Sequence, residues 1–130
     1  MAARQRPLSP HLQVYKPQIT STLSIIHRAT GVVNAIGGLF VAAWLVSIAS
    51  DADCFAWSQQ ILASWFGKLA LFAFSASLIY HLLNGIRHLL WDIGWGMEIE
   101  TVQKTGYLVV ALSLILTALL WFVALRGAAL

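Results

Sequence analysis

Charge is what this chain has least of. Only 10% of its 130 residues are Asp, Glu, Lys or Arg, where ordinary soluble domains carry about 25%. A soluble enzyme of this size needs a charged shell, so that class is excluded. A composition that is 59% hydrophobic equally excludes a disordered tail. Cysteine occurs once, as Cys54, which rules out an internal disulfide and any Cys-x-x-Cys redox or zinc pattern. Basic residues outnumber acidic ones by eight to five, but they are scattered between apolar runs and form no patch, which argues against nucleic acid as a partner. What remains is a small integral membrane protein in a lipid bilayer. With no internal repeat and no low-complexity linker, residues 1–130 read as a single membrane-anchor domain.

Three runs carry no charge: Ala29 to Ser50 (22 residues), Leu69 to Ile86 (18) and Thr105 to Leu125 (21). A hydrocarbon core about 30 Å thick takes roughly 20 helical residues, so each run crosses it once. The expected fold is all-α, a three-helix membrane bundle with spans near 20–50, 66–90 and 105–126. Pro17 sits just ahead of a helix and not inside one, so the first helix starts near Ile19 or Thr20 and Arg28 falls within it. Residues 1–18, with Pro7, Pro10 and Pro17, read as an irregular N-terminal cytoplasmic arm. The second loop is expected at the turn Asp92 to Glu100, which holds Gly94 and Gly96.

Basic residues resist translocation, and their distribution orients the chain. Arg4, Arg6, Lys16, Arg28, Arg87 and Lys104 fall on one side and only Lys68 and Arg126 on the other. The N-terminus and second loop are therefore expected in the cytoplasm. The first span starts too late and runs too long for a cleavable signal peptide, and no Arg-rich transit peptide is evident. That favours a multi-pass protein of a bacterial inner membrane over one of the mitochondrial inner membrane.

A helix that only anchors needs no polar interior, so polar groups inside the spans mark the place to look for chemistry. Ser24 and Arg28 are four residues apart and share a helix face about 6 Å apart along the axis. An arginine at the bilayer centre costs at least about 2.5–3.5 kcal/mol, so Arg28 must snorkel, line a wet cavity or meet an anion. With a hydroxyl one turn away it forms a polar pair able to hold a head group; the bland reading is a topological anchor beside a serine bonded to its own backbone. In the second span, His81 lies six residues before Arg87, about 9 Å deeper along the helix, with Gly85 one turn further on the same face. A buried imidazole over a flat dent is a place for haem iron; the competing reading is a histidine hydrogen-bonded across a helix interface. His88 is about 10.5 Å from His81 along the axis, so the two cannot bind one iron, and a second ligand has to come from another helix, the source being another subunit. Asn84 reads as packing glue, Gly37 and Gly38 as sites of close helix contact, and Trp65 and Trp91 as members of an aromatic belt at the span ends.

Three strings combine in order: Arg6-Pro7-Leu8-Ser9-Pro10-His11-Leu12; Ser24-Ile25-Ile26-His27-Arg28-Ala29-Thr30-Gly31; and His81-Leu82-Leu83-Asn84-Gly85-Ile86-Arg87-His88, followed by Trp91-Asp92. Together they resemble the cytochrome b subunits of succinate dehydrogenase, over nearly the whole chain. The arm looks closer to the alphaproteobacterial and mitochondrial branch than to the enteric one.

The resemblance implies a subunit of succinate:ubiquinone oxidoreductase that anchors a flavoprotein subunit and an iron-sulfur subunit and passes their electrons to ubiquinone. It carries no succinate-oxidising site of its own and is thus an enzyme only as part of the complex. His81 is then an axial ligand of haem b, the other ligand coming from a second membrane anchor subunit. His27 and Arg28 fall near the haem propionates, Ser24 and Arg28 in the quinone site, and the arm motif against the iron-sulfur subunit. Two alternatives stand beside this: a structural membrane adaptor without cofactor, and the anchor of a fumarate reductase type complex.

Overall fold

The computed structural model describes residues 17–127, and Arg4, Arg6 and the arm motif lie outside them. The described residues form four helices: α1 (Ile19–Ala49), α2 (Ala52–Ala63), α3 (Trp65–Asp92) and α4 (Ile99–Gly127). Three of these are long and apolar enough to cross a membrane, with 31, 28 and 29 residues. At 1.5 Å per residue each is about 42–46 Å long, more than the hydrocarbon thickness, so the ends reach into the head-group layers. The all-α, three-span architecture expected from the charge-free runs is present. The helices overrun those runs because a charged residue at a helix end sits in the interface, where it costs little.

Helix α1 begins immediately after Pro17, with Gln18 in extended conformation and the Thr22 amide bonded to the Gln18 carbonyl at 3.1 Å. Between the first two spans lies α2, a 12-residue helix that takes the place of a plain loop. Asp51 caps its N-terminus by accepting from the Cys54 amide at 2.7 Å. Ser64 ends it and caps α3 in turn, its Oγ accepting from the Gly67 amide at 3.0 Å. The turn from α3 to α4 falls where expected. Gly94 and Gly96 take φ of +79° and +74° there, a left-handed region that side-chain-bearing residues adopt at a cost.

Helix α3 is the central element, packed against both α1 and α4, while α1 also touches α4. Little of the apolar surface is internal: Leu23, Tyr80 and Val109 are the buried hydrophobic residues, and Leu39, Phe40, Leu82 and Leu114 all point outward. This inversion of the soluble pattern is what a bilayer, or partner helices within it, requires.

Polar contacts hold the helices together instead. The Ser77 hydroxyl donates to Asn34 Oδ1 at 2.8 Å, the Tyr80 hydroxyl to the Leu23 carbonyl at 2.9 Å, and Trp121 Nε1 to Ser75 Oγ at 2.9 Å. Gly37 is a close-contact position, since a Cβ there would overlap the Phe74 ring; Gly38 faces open space and is not one.

A candidate haem and quinone site at one end of the bundle

The N-terminal third of α1 and the C-terminal third of α3 meet at the same end, and nearly all the singled-out polar residues gather there. Three imidazoles form a stack. The His27 ring lies 4.0 Å from that of His81, at an interplanar angle of 10°, and 4.9 Å from that of His88, at 13°. Helical spacing kept His81 and His88 apart, and a residue from the other helix fills the gap between them. His27 also comes over Gly85, which an added Cβ would bring to 3.9 Å from His27 Cε1. The face expected to present a flat dent is therefore covered by an imidazole. Gly85 matters because a long side chain there would displace His27.

The protonation of His81 follows from its neighbours. His81 Nδ1 is 3.1 Å from the His27 carbonyl and 3.1 Å from Thr30 Oγ1. A carbonyl can only accept, so the proton belongs on Nδ1, and Nε2 is left as a bare lone pair. This is the state in which an imidazole binds a metal, and the chemistry of the donor fits haem iron. Among the described residues there is no group of three or more His, Cys, Asp or Glu side chains arranged to hold a metal ion by themselves. A single axial ligand whose counterpart lies on another chain needs no such group. His88 Nδ1 is committed in the same manner, to the Asn84 carbonyl at 2.8 Å, whereas His27 Nδ1 is buried without a hydrogen-bond partner.

Ser24 and Arg28 are brought together as their spacing requires. Arg28 Nη2 donates to Ser24 Oγ at 3.1 Å, Arg28 being exposed and Ser24 half-buried. The serine thus accepts from the guanidinium, which leaves its own hydroxyl hydrogen available to a ligand. Ser24 and His27 are three residues apart on α1, so the pair adjoins the imidazole stack.

Arg87, counted by sequence as one of the cytoplasmic topology residues, has a second role. It is 4% exposed, and it donates through Nε to Thr105 Oγ1 at 3.1 Å, through Nη1 to Asn84 Oδ1 at 3.3 Å and through Nη2 to the Val102 carbonyl at 2.7 Å. Its guanidinium lies 4.2 Å from the centre of the Trp91 ring. Arg87 fastens the start of α4 to the end of α3, the helix that carries His81 and His88. Asn84 is wholly buried; its Oδ1 accepts from Arg87 on the same helix, while its Nδ2 has no hydrogen-bond partner. Thr30 passed unnoticed in the sequence except as a letter in the second motif; what could have marked it is its i, i+3 relation to His27.

A three-span membrane bundle with a cluster of imidazole, hydroxyl and guanidinium at one end defines a small class of membrane anchor. Residues 2–120 match the family of succinate dehydrogenase/fumarate reductase transmembrane subunits. The succinate dehydrogenase cytochrome b556 subunit of Rickettsia prowazekii (strain Madrid E) is 49% identical over 117 residues, covering 90% of this chain and 91% of that one. That of Paracoccus denitrificans is 40% identical over 114 residues, 88% of each chain. The mitochondrial succinate dehydrogenase cytochrome B subunit of Schizosaccharomyces pombe is 40% identical over 116 residues, 85% of this chain and 64% of that one. The chain belongs to this family, on the succinate dehydrogenase cytochrome b side of it.

Proposed function

We propose that this membrane anchor holds haem b through His81 and forms, with Ser24 and Arg28, part of the site at which ubiquinone is reduced. The observation that carries the reading is the commitment of His81 Nδ1–H to the His27 carbonyl and Thr30 Oγ1, which frees Nε2 for a metal at the same end of the bundle as the Ser24–Arg28 pair. A companion membrane subunit would supply the second histidine. His27, whose Nδ1 has no hydrogen-bond partner, and the exposed Arg28 would hold the propionates. Bound there, haem supplies a one-electron carrier shared between two subunits.

Quinone reduction takes up two electrons and two protons, and negative charge builds on the carbonyl oxygens before the protons arrive. Ser24 donates its hydroxyl hydrogen to one such oxygen. Arg28, bonded to the same hydroxyl, polarises it and stabilises the developing charge, an effect larger at a partly desolvated membrane edge than in water. Flavoprotein and iron-sulfur subunits dock on this end, which is the cytoplasmic one in the orientation set by the basic residues. Electrons and protons then reach the quinone without crossing the bilayer.

Ser24→Ala and Arg28→Leu, assayed in the assembled complex, test the quinone assignment. Each is expected to lower quinone reductase activity at least tenfold, while succinate oxidation with a soluble dye acceptor stays near wild type; one lost transition-state contact of this kind costs roughly 10²–10³-fold in well-defined sites. Unchanged quinone turnover in both variants would falsify the assignment.

A further inference from the structure

We propose that the Thr30–Gly31 step of α1 is a positioning device for His81, in which Thr30 fixes the protonated nitrogen and Gly31 fixes how closely α1 approaches the ring. The proposal rests on the reading of His81 as a haem ligand and deepens it. The Thr30 hydroxyl donates its own hydrogen to the His27 carbonyl at 2.9 Å. What Oγ1 turns towards His81 Nδ1, 3.1 Å away, is therefore a lone pair. With the His27 carbonyl as second acceptor at 3.1 Å, Nδ1 faces two acceptors as long as the Thr30 hydrogen stays on that carbonyl. In the other tautomer, with the proton on Nε2, the Thr30 hydroxyl would have to turn its hydrogen from the His27 carbonyl to Nδ1, and that half-buried carbonyl would lose both side-chain donors while facing the Nδ1 lone pair, which is costly.

Gly31 adds the steric half. A Cβ at that position would lie 3.2 Å from His81 Cε1, tighter than an ordinary contact, so the glycine lets the imidazole rest against the α1 backbone. The register of the two helices is pinned one turn away. Ser77, four residues before His81 on α3, donates to Asn34 Oδ1 at 2.8 Å and lies 3.3 Å from the Thr30 carbonyl. The Thr30 carbonyl is thus the alternative acceptor for Ser77, one turn from where the Thr30 side chain engages His81.

Acceptors on the Nδ1–H of a ligating histidine increase the basicity of the ring and favour the more highly charged metal. Thr30→Val keeps the shape of the side chain and removes one acceptor, so ferrous haem gains relative to ferric. The test is a spectroelectrochemical titration of the haem in the purified whole complex, comparing wild type, Thr30→Val, Thr30→Ser and Gly31→Ala, with His81→Leu as control. Thr30→Val is expected to move the haem potential to a more positive value, Thr30→Ser to stay at the wild-type potential, and Gly31→Ala to alter the ferric low-spin electron paramagnetic resonance signal with both acceptors retained. Thr30→Ala accompanies Thr30→Val, so that the loss of the acceptor is read even where the valine variant does not assemble. Coincident potentials for wild type and the acceptor-less variant, with His81→Leu devoid of the wild-type haem signal, overturn the positioning role and leave the ligand assignment standing. An unaltered haem signal in His81→Leu overturns the assignment beneath it.

Discussion

Two arginines near the same end of the bundle have opposite surroundings. Arg28 is exposed and bonded to one hydroxyl, whereas Arg87 is buried and bonded to three oxygens. Both are basic residues at a span end, and sequence position alone gives them the same topological role. What separates them is geometry across helices: Thr105 and Val102 reach Arg87 only once α4 has folded back. Because the guanidinium fork meets acceptors in different directions, a lysine cannot replace it. Arg87→Ala and Arg87→Lys are both expected to destabilise the assembled complex, each acceptor left unpaired costing about 1–3 kcal/mol, with a lower Tm read by thermal denaturation of the purified complex. A Tm unchanged in both would show that the α3–α4 end is held by apolar packing. Ser24, Arg28 and His81 were legible because polar residues stand out in an apolar run. Thr30 was not, since its contact with His81 spans 51 positions and leaves no periodic trace.

At the scale of elements, the three spans are written in the gaps between charges, and α1 starts where Pro17 allows. Helix α2 is the piece that was missed. Its sequence, ADCFAWSQQILA, is too short and too polar to register as a span, and no apolar run announces it. Its signals are local: Asp51 at the N-cap and Ser64 shared with α3. The paired glycines of α1 also divide unequally, because adjacent helical residues point about 100° apart and only one can face α3. Gly37→Leu is expected to force α1 from α3 against the Phe74 ring and to lower the yield of assembled complex, with partial rescue by Phe74→Ala, whereas Gly38→Leu leaves yield near wild type. Equal effects at the two positions, measured by co-purification of the partner subunits, would show that the α1–α3 contact is not set at Gly37.

For the whole molecule, the decisive feature is the polarity of its two ends. The imidazoles, Arg28 and Arg87 occupy one end, while α2 and Cys54 occupy the other, across the length of α1. The sequence counts six basic residues toward the first side and two toward the second, and on that count we propose that the first side faces the cytoplasm. Cys54 is exposed and is the only cysteine of the chain, so it reports the orientation without any substitution. In intact cells a membrane-impermeant maleimide is expected to add to Cys54, read as a mass increase on this chain. Labelling only after permeabilisation would reverse the assignment of sides.

An isolated chain with so much outward apolar surface and so small an internal core depends on its neighbours for stability, and a haem held between two subunits, as we propose, would be where that dependence is most direct. The reduced-minus-oxidised absorption spectrum of the complex purified with His81→Leu tests this most directly. The low-spin b-type spectrum of the wild-type complex is expected to be lost or altered while the chain still inserts in the membrane. A wild-type spectrum in that variant would contradict the assignment of His81 and move the ligand to His27 or His88.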